Sequence, residues 1–354
     1  MRGSDRLTGG GGNDYLDGGR GRDWAIYAGA PSAVVVNLSL STATGGHGSD
    51  TLASIENAEG SAFGDTLTGS TAVNRLKGGS GDDRITGGWA RDFIDGGPGN
   101  DWAVYEGGVG PVVVNLTLGT ASGAHGADRI TGVENVTGSP YNDTLIGDAA
   151  NNTLYGQGGN DRITGAGGND LIDGGPGTDW AVYQGAPGAV VVDLAAGTAA
   201  GGHGADTLIG IENAIGSAHA DTLAGDALGN VLFGRQGDDD LLGRGGNDRL
   251  GGGLGADGFR FVTTAEGTDT ITDFVSGTDK IMVVAANFGL VPGAAANLFV
   301  DSAPGSGAAA FIYTSANGAF AFDADGNGAG AAVTLALLSN RPATLLPGDV
   351  VLGP

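Results

Sequence analysis

Cysteine is absent from this sequence and lysine nearly so, Lys77 and Lys280 being the only two. Without thiols there is no disulfide framework, no thiolate ligand and no thiolate nucleophile. Sixteen Lys and Arg oppose 40 Asp and Glu over 354 residues, a formal charge of −24. So few cations exclude a surface built to neutralise the phosphates of nucleic acid or of an anionic bilayer. The longest aliphatic runs, at 34–36 and 331–338, fall far short of a membrane span. Proline numbers only 11 and glycine follows no three-residue rhythm, which excludes collagen. At 40% hydrophobic residues the chain is also too apolar for a disordered acidic tail.

Enzyme signatures are missing too. Every histidine is followed by Gly or Ala, so no HExxH zinc motif exists, and neither a GxSxG elbow nor a Walker A lysine occurs. The opening Met1-Arg2-Gly3-Ser4-Asp5 does not read as a signal peptide.

What is abundant is glycine, 73 residues, and it is ordered. Asp23-Trp24-Ala25-Ile26-Tyr27 recurs as Asp101-Trp102-Ala103-Val104-Tyr105 and Asp179-Trp180-Ala181-Val182-Tyr183, each time 78 residues on. Within each unit runs a second period of nine. Nonapeptide blocks span 9–26, 60–104, 138–182 and 216–260, seventeen repeats in all. Between them lie 33-residue segments at 27–59, 105–137 and 183–215. Gly3, Asp5 and Leu7 hold positions 4, 6 and 8 of an incomplete repeat, so the array is expected to begin inside a longer one.

The repeat is clearest in Gly78-Gly79-Ser80-Gly81-Asp82-Asp83-Arg84-Ile85 and Gly96-Gly97-Pro98-Gly99-Asn100-Asp101. It resembles the RTX (hemolysin-type calcium-binding) repeat, GGxGxDxUx with U a large apolar residue. The resemblance implies an all-β fold, a right-handed parallel β-roll (β-solenoid) with two nonapeptides per coil. The residues agree. Glycines at positions 1, 2 and 4 are expected to supply positive φ, and positions 7–9 form strands of about three residues. Position 8 is the one inward side chain: Leu, Ile or Phe in fourteen repeats, and Ala25, Ala103 and Ala181 at block ends.

So thin a core does not offset the entropy of ordering these glycines, roughly 1–2 kcal/mol per residue. Two nonapeptides per coil place residues 18 apart one above the other, about 4.8 Å between rungs. Asp83 then stacks on Asp101, Asp161 on Asp179 and Asp239 on Asp257, and bare carboxylates at that spacing repel. A hard cation taking six to eight oxygens suits two Asp plus turn carbonyls, so calcium is expected, coupled to folding. Magnesium wants a stricter octahedron and zinc wants nitrogen or sulfur. The candidate ligands are the position-6 residues Asp14, Asp23, Asp65, Asp83, Asp92, Asp101, Asp143, Asp161, Asp170, Asp179, Asp221, Asp239, Asp248 and Asp257. Asn74, Asn152 and Asn230 replace Asp in the second repeat of three blocks, where side-chain amide bonds are expected to hold the turn instead. Ala90 interrupts position 4 of one repeat, and a weak or empty site is expected there.

The 33-residue segments carry extended runs, Val34-Val35-Val36-Asn37-Leu38 in the first, which favour strands continuing the solenoid as longer coils. Their histidines, His47, His125 and His203, lie about 20 Å apart along such an axis, too far for one zinc site. Each is expected to be a turn residue, with a pairing to its own Asp50, Asp128 or Asp206 as the alternative. Trp24, Trp102 and Trp180 share one phase; packing at block ends is expected, and a row of sugar-stacking rings is the other reading.

Residues 261–354 lose the rhythm but contain β-type segments at 270–274, 280–284, 311–313, 319–322, 333–338 and 350–352. They are placed to cap the array. The region resembles the C-terminal part of serralysin-type proteases, through Gly255-Ala256-Asp257, Asp269–Phe274, Gly277–Ile281 and Asp323–Gly328. That resemblance implies export by a type I (ABC) system, with Asp349-Val350-Val351-Leu352 similar to the terminal signal. Asp323, Asp325 and Asn327 also imitate the start of an EF-hand loop, but the twelfth position is Thr334 and a β-turn is the better reading.

The expected function is a secreted calcium-binding β-roll that folds on meeting extracellular calcium. Two alternatives stay open: the C-terminal part of a larger secreted protease, lipase or epimerase, or an adhesin, matrix or surface-layer component touching glycans.

Overall fold

The computed structural model describes residues 3–305, 307–326 and 332–354. Among them there is no α-helix; two 3₁₀ turns accompany a long series of short strands. Contacts divide the chain into two compact units, Met1–Asp179 and Trp180–Pro354.

In the first unit successive nonapeptides alternate between two parallel sheets. Thr66–Ser70, Arg84–Gly88 and Trp102–Val104 pair in one, Arg75–Lys77 and Phe93–Asp95 in the other, with partners 18 residues apart. Alternation follows from strand length, since three residues reach across one side before the glycine turn reverses the chain. Position 8 points inward throughout: Leu67, Leu76, Ile85, Leu145, Leu154 and Ile163 are fully buried. Ala25 and Ala103 are equally buried, and each faces a small or branched partner, Ala58 and Val136.

Positive φ falls at positions 2 and 4, as at Gly79 (117°) and Gly81 (105°). Ala90 keeps that turn at φ 83° without glycine. Position 1 departs from the expectation. Gly78 has no positive φ; what it needs is room, because a β-carbon there would lie 2.0 Å from Asp83 Oδ2 and 2.6 Å from the Gly96 carbonyl oxygen.

The 33-residue segments are not simply longer coils. Val34–Asn37, Thr42–Gly45 and Gly48–Ala53 form an antiparallel meander, flanked by parallel partners Thr66–Ser70 and Tyr15–Asp17. The chain then crosses to the opposite sheet as Asn57–Glu59, between Trp24–Ile26 and Arg75–Lys77. The second segment repeats this with Val112–Asn115, Thr120–Gly123 and Gly126–Thr131, but in the other sheet. Five nonapeptides separate the two segments, and an odd number of crossings brings the chain to the opposite side. For the same reason Trp24 and Trp102 lie in opposite sheets of this unit, and they make no row.

In the second unit the parallel stack runs on past Arg260. Asp269–Ile271 pairs with Arg249–Leu254, and Lys280–Val284 with Gly258–Phe261. One sheet ends on Val350–Gly353. The other continues through Val333–Leu338 into antiparallel Ala319–Asp323 and Ala310–Thr314. Buried Phe311, Phe320 and Phe322 pack there, with the rings of Phe311 and Phe320 stacked at 5.5 Å. Five of the six expected β segments are strands, while that at 270–274 is a strand only to Ile271; Leu298–Val300 adds a further one.

Candidate metal centre

The position-6 aspartates form a ladder along the turns. All but Asp14, which is half-buried, are buried. Along it Oδ1 accepts the backbone N–H of the rung before: Asp83 from Asp65 at 2.7 Å, Asp101 from Asp83 at 2.8 Å, Asp161 from Asp143 at 2.7 Å, Asp239 from Asp221 at 2.8 Å. Asp23 serves Asp5, Asp92 serves Asn74, Asp170 serves Asn152, Asp179 serves Asp161, Asp248 serves Asn230 and Asp257 serves Asp239.

The other oxygen sorts the candidates. In Asp65, Asp143 and Asp221 it accepts a backbone N–H from Ser61, Ser139 or Ser217, whose hydroxyl also donates to Oδ1. These carboxylates are closed by protein, and so are the asparagine turns. Asn74 Oδ1 accepts from Ser70 N–H at 2.6 Å while its Nδ2 donates to the Glu56 carbonyl at 2.6 Å. Asn152 and Asn230 donate alike to the Glu134 and Glu212 carbonyls. In Asp14, Asp23, Asp83, Asp92, Asp101, Asp161, Asp239, Asp248 and Asp257, however, Oδ2 is buried without a hydrogen-bond partner. A buried, unpaired carboxylate oxygen is costly unless a cation or a proton meets it.

The donor set fits calcium. The orphaned Oδ2 of Asp161 and the Gly174 carbonyl oxygen lie 2.2 and 2.7 Å from where a Gly156 β-carbon would be, so both face one small gap. Among the described residues no three His, Asp or Glu side chains converge. Most ligands would therefore be carbonyl oxygens, which calcium accepts readily and zinc does not.

Burial pushes the carboxyls of Asp83, Asp92, Asp161 and Asp239 up to about 7 and those of Asp101 and Asp257 to about 6, with neighbouring carboxylates adding to the rise. A carboxyl with a folded pKa above its unfolded value of about 3.9 stabilises the fold when protonated and loses that contribution as pH rises through the folded value. In chelator, lowering pH from 8 to 5 is therefore expected to raise β content, measured by circular dichroism. A β signal unchanged or falling over that range would contradict it.

Sequence reasoning missed the acids that carry the ladder through the 33-residue segments. Asp50 accepts from Asp14 N–H and Glu56 from Asp23 N–H, both at 2.9 Å. Asp128 and Glu134 do the same for Asp92 and Asp101. Beyond the array Asp269 and Asp279 accept from Asp248 and Asp257, each at 3.1 Å. Asp50 and Asp128 also accept the buried Tyr27 and Tyr105 hydroxyls, so the alternative histidine pairing is not formed there. His47 Nε2 and His125 Nδ1 instead lie 3.2 Å from the Gly29 and Gly88 carbonyls. Asp323 accepts the N–H groups of Asp325 and Gly326, a turn rather than an EF-hand opening; Asn327 lies outside the described residues.

Two family models match the chain. The RTX calcium-binding nonapeptide repeat matches residues 1–25, 59–89, 68–103, 130–162, 137–172 and 146–181. The peptidase M10 serralysin C-terminal model matches residues 189–329, which include the third full nonapeptide block. No curated protein matches. Among solved structures, extracellular lipase LipA from Serratia marcescens is 22% identical over 62% of this chain and 39% of its own, with a TM-score of 0.20. This chain thus spans well under half of that lipase.

Proposed function

We propose that this chain, which carries RTX calcium-binding nonapeptide repeats and a serralysin-type C-terminal domain, is a secreted protein whose roll forms when calcium closes its turns outside the cell. The single observation that carries this is the row of buried, unpartnered Oδ2 atoms along the ladder. Bound calcium would neutralise facing carboxylates and complete its shell with turn carbonyls.

The residues that would hold it are the nine with an unpartnered Oδ2, with Asp170 and Asp179 at equivalent places in the ladder. Asp65, Asp143 and Asp221 are assigned to the turns closed by serine, and the asparagine turns to direct amide bonding. In a calcium-poor cytosol the acidic chain repels itself and stays extended enough for export; at extracellular calcium the rungs close. Residues 261–354 cap the array and address it to a type I exporter in this reading.

Equilibrium dialysis against calcium tests the assignment, with bound metal counted per chain. Several calcium ions are expected, with magnesium and zinc failing to replace them. A chain that retains none would sink the proposal.

A further inference from the structure

One sheet face of the first unit departs from the acidity of the chain. Strand register aligns Arg6, Trp24, Asn57, Arg75, Phe93 and Arg129 in a single column. Asn57 is buried, its side chain bonded to the Asp23 carbonyl and the Arg75 N–H, whereas the other members alternate with inward residues along their strands and face away from the core. Arg6, Arg75 and Arg129 are exposed, and Trp24 and Phe93 are half-buried. The Arg6 guanidinium carbon lies 5.3 Å from the Trp24 ring centre and that of Arg75 lies 4.7 Å from Phe93.

A groove of about 270 Å³ runs along Trp24, Arg75, Phe93 and Arg129, with Lys77 and Asp95 on its flank. A second, of about 220 Å³, is bordered by Arg22, Trp24, Asn57 and Arg75, so the two meet at Trp24 and Arg75. Five of the chain's 16 cations are gathered here. Glu59 and Asp95 are the acids in the flanking column.

Arg75, lying over Phe93, can fork its edge N–H groups onto a carboxylate, as can Arg129 on the other side of that ring, whereas the Arg6 guanidinium already pairs with Glu59 at 2.5 Å. The ring between two such forks offers a flat apolar face. Successive members of the column are separated by one rung, about 4.8 Å. A ligand matching the run Arg75, Phe93, Arg129 places carboxylates on either side of an apolar ring face about two rungs apart, as a chain of uronic-acid sugars does. Duplex nucleic acid carries charge more densely, one per about 1.7 Å of axis, than cations spaced along this column answer.

We propose that this column is a docking site for an acidic polysaccharide. Its occupant is chosen by charge complementarity between the cations and sugar carboxylates, with the rings supplying stacking. The column lies on a sheet face and not on the turns, so its failure is separable from failure of the calcium ladder.

The test is isothermal titration of the calcium-loaded full chain with hyaluronan fragments, which are uronate-bearing. Saturable binding that weakens with salt is expected, with none to neutral dextran. The pair Arg75→Gln and Arg129→Gln together, and separately Trp24→Ala, should each weaken it at least tenfold. Arg84→Gln, on the opposite sheet, should leave it unchanged. Every variant is first shown by circular dichroism to keep the wild-type β signal; the two exposed arginines make that pair the variant of choice if Trp24→Ala misfolds. Absent hyaluronan binding, or equal loss from Arg84→Gln, would overturn the site. Tighter binding of oligothymidylate, lost in the same variants, would also overturn it by giving the site to nucleic acid.

Discussion

Chelator added to the calcium-loaded chain at pH 8 will abolish most of its β signal in circular dichroism. Returned calcium will restore the signal, and magnesium at the same concentration will not. The expectation is large because the same carboxylates recur at nearly every rung. Asp83, Asp101, Asp161 and Asp239 each bring a desolvated charge to a turn that offers the second oxygen no donor. Inward-facing apolar side chains amount to about one per nonapeptide strand, and 73 glycines must be ordered against them. Each site also joins consecutive rungs, so loss should be cooperative along a block. A spectrum that stays folded in chelator would refute the coupling while leaving the fold itself intact.

Asp83→Ala and Asp83→Asn will part company. Alanine removes the acceptor of the Asp65 N–H and leaves that buried group unpaired, which costs about 1–3 kcal/mol. Asparagine keeps the Oδ1 acceptor, and its amide can donate as Asn74, Asn152 and Asn230 already do. Both variants should bind less calcium than the parent. In calcium, urea unfolding should find the alanine variant less stable than the asparagine variant by about that same 1–3 kcal/mol. Equal stability of the two would show that the ladder hydrogen bond contributes nothing.

The repeat itself was legible because its chemistry is local. Position 8 must be apolar in a three-residue strand, positions 2 and 4 need positive φ, and position 6 carries the acid. Asn74 was legible for the same reason on one side, since its Oδ1 closes upon the Ser70 N–H of its own turn, whereas its amide reaches the Glu56 carbonyl one rung away. What escaped the sequence depends on partners set by the three-dimensional crossing. Glu56 lies 33 residues from the N–H group it meets, out of phase with the nine-residue frame, while Asp50, 36 residues from its partner, keeps the phase and could have been found by it. Ser61, Ser139 and Ser217 do recur at the 78-residue spacing. That recurrence could have warned that Asp65, Asp143 and Asp221 have an internal partner. Of the two readings of the tryptophans, only the row fails, and for a simpler cause: equal phase in sequence is not equal side when the count of intervening strands is odd.

Parity has one more effect. A 33-residue segment gives three strands to one wall and one to the wall across from it. Alone, it would leave the two walls mismatched by two strand widths, roughly 10 Å. Because the next segment falls on the other side, the debt is cancelled, and both walls of the first unit reach the same length. Chains of this design should therefore tolerate gain or loss of 78-residue units in twos, whereas a single unit added or removed would leave one flank longer and force curvature.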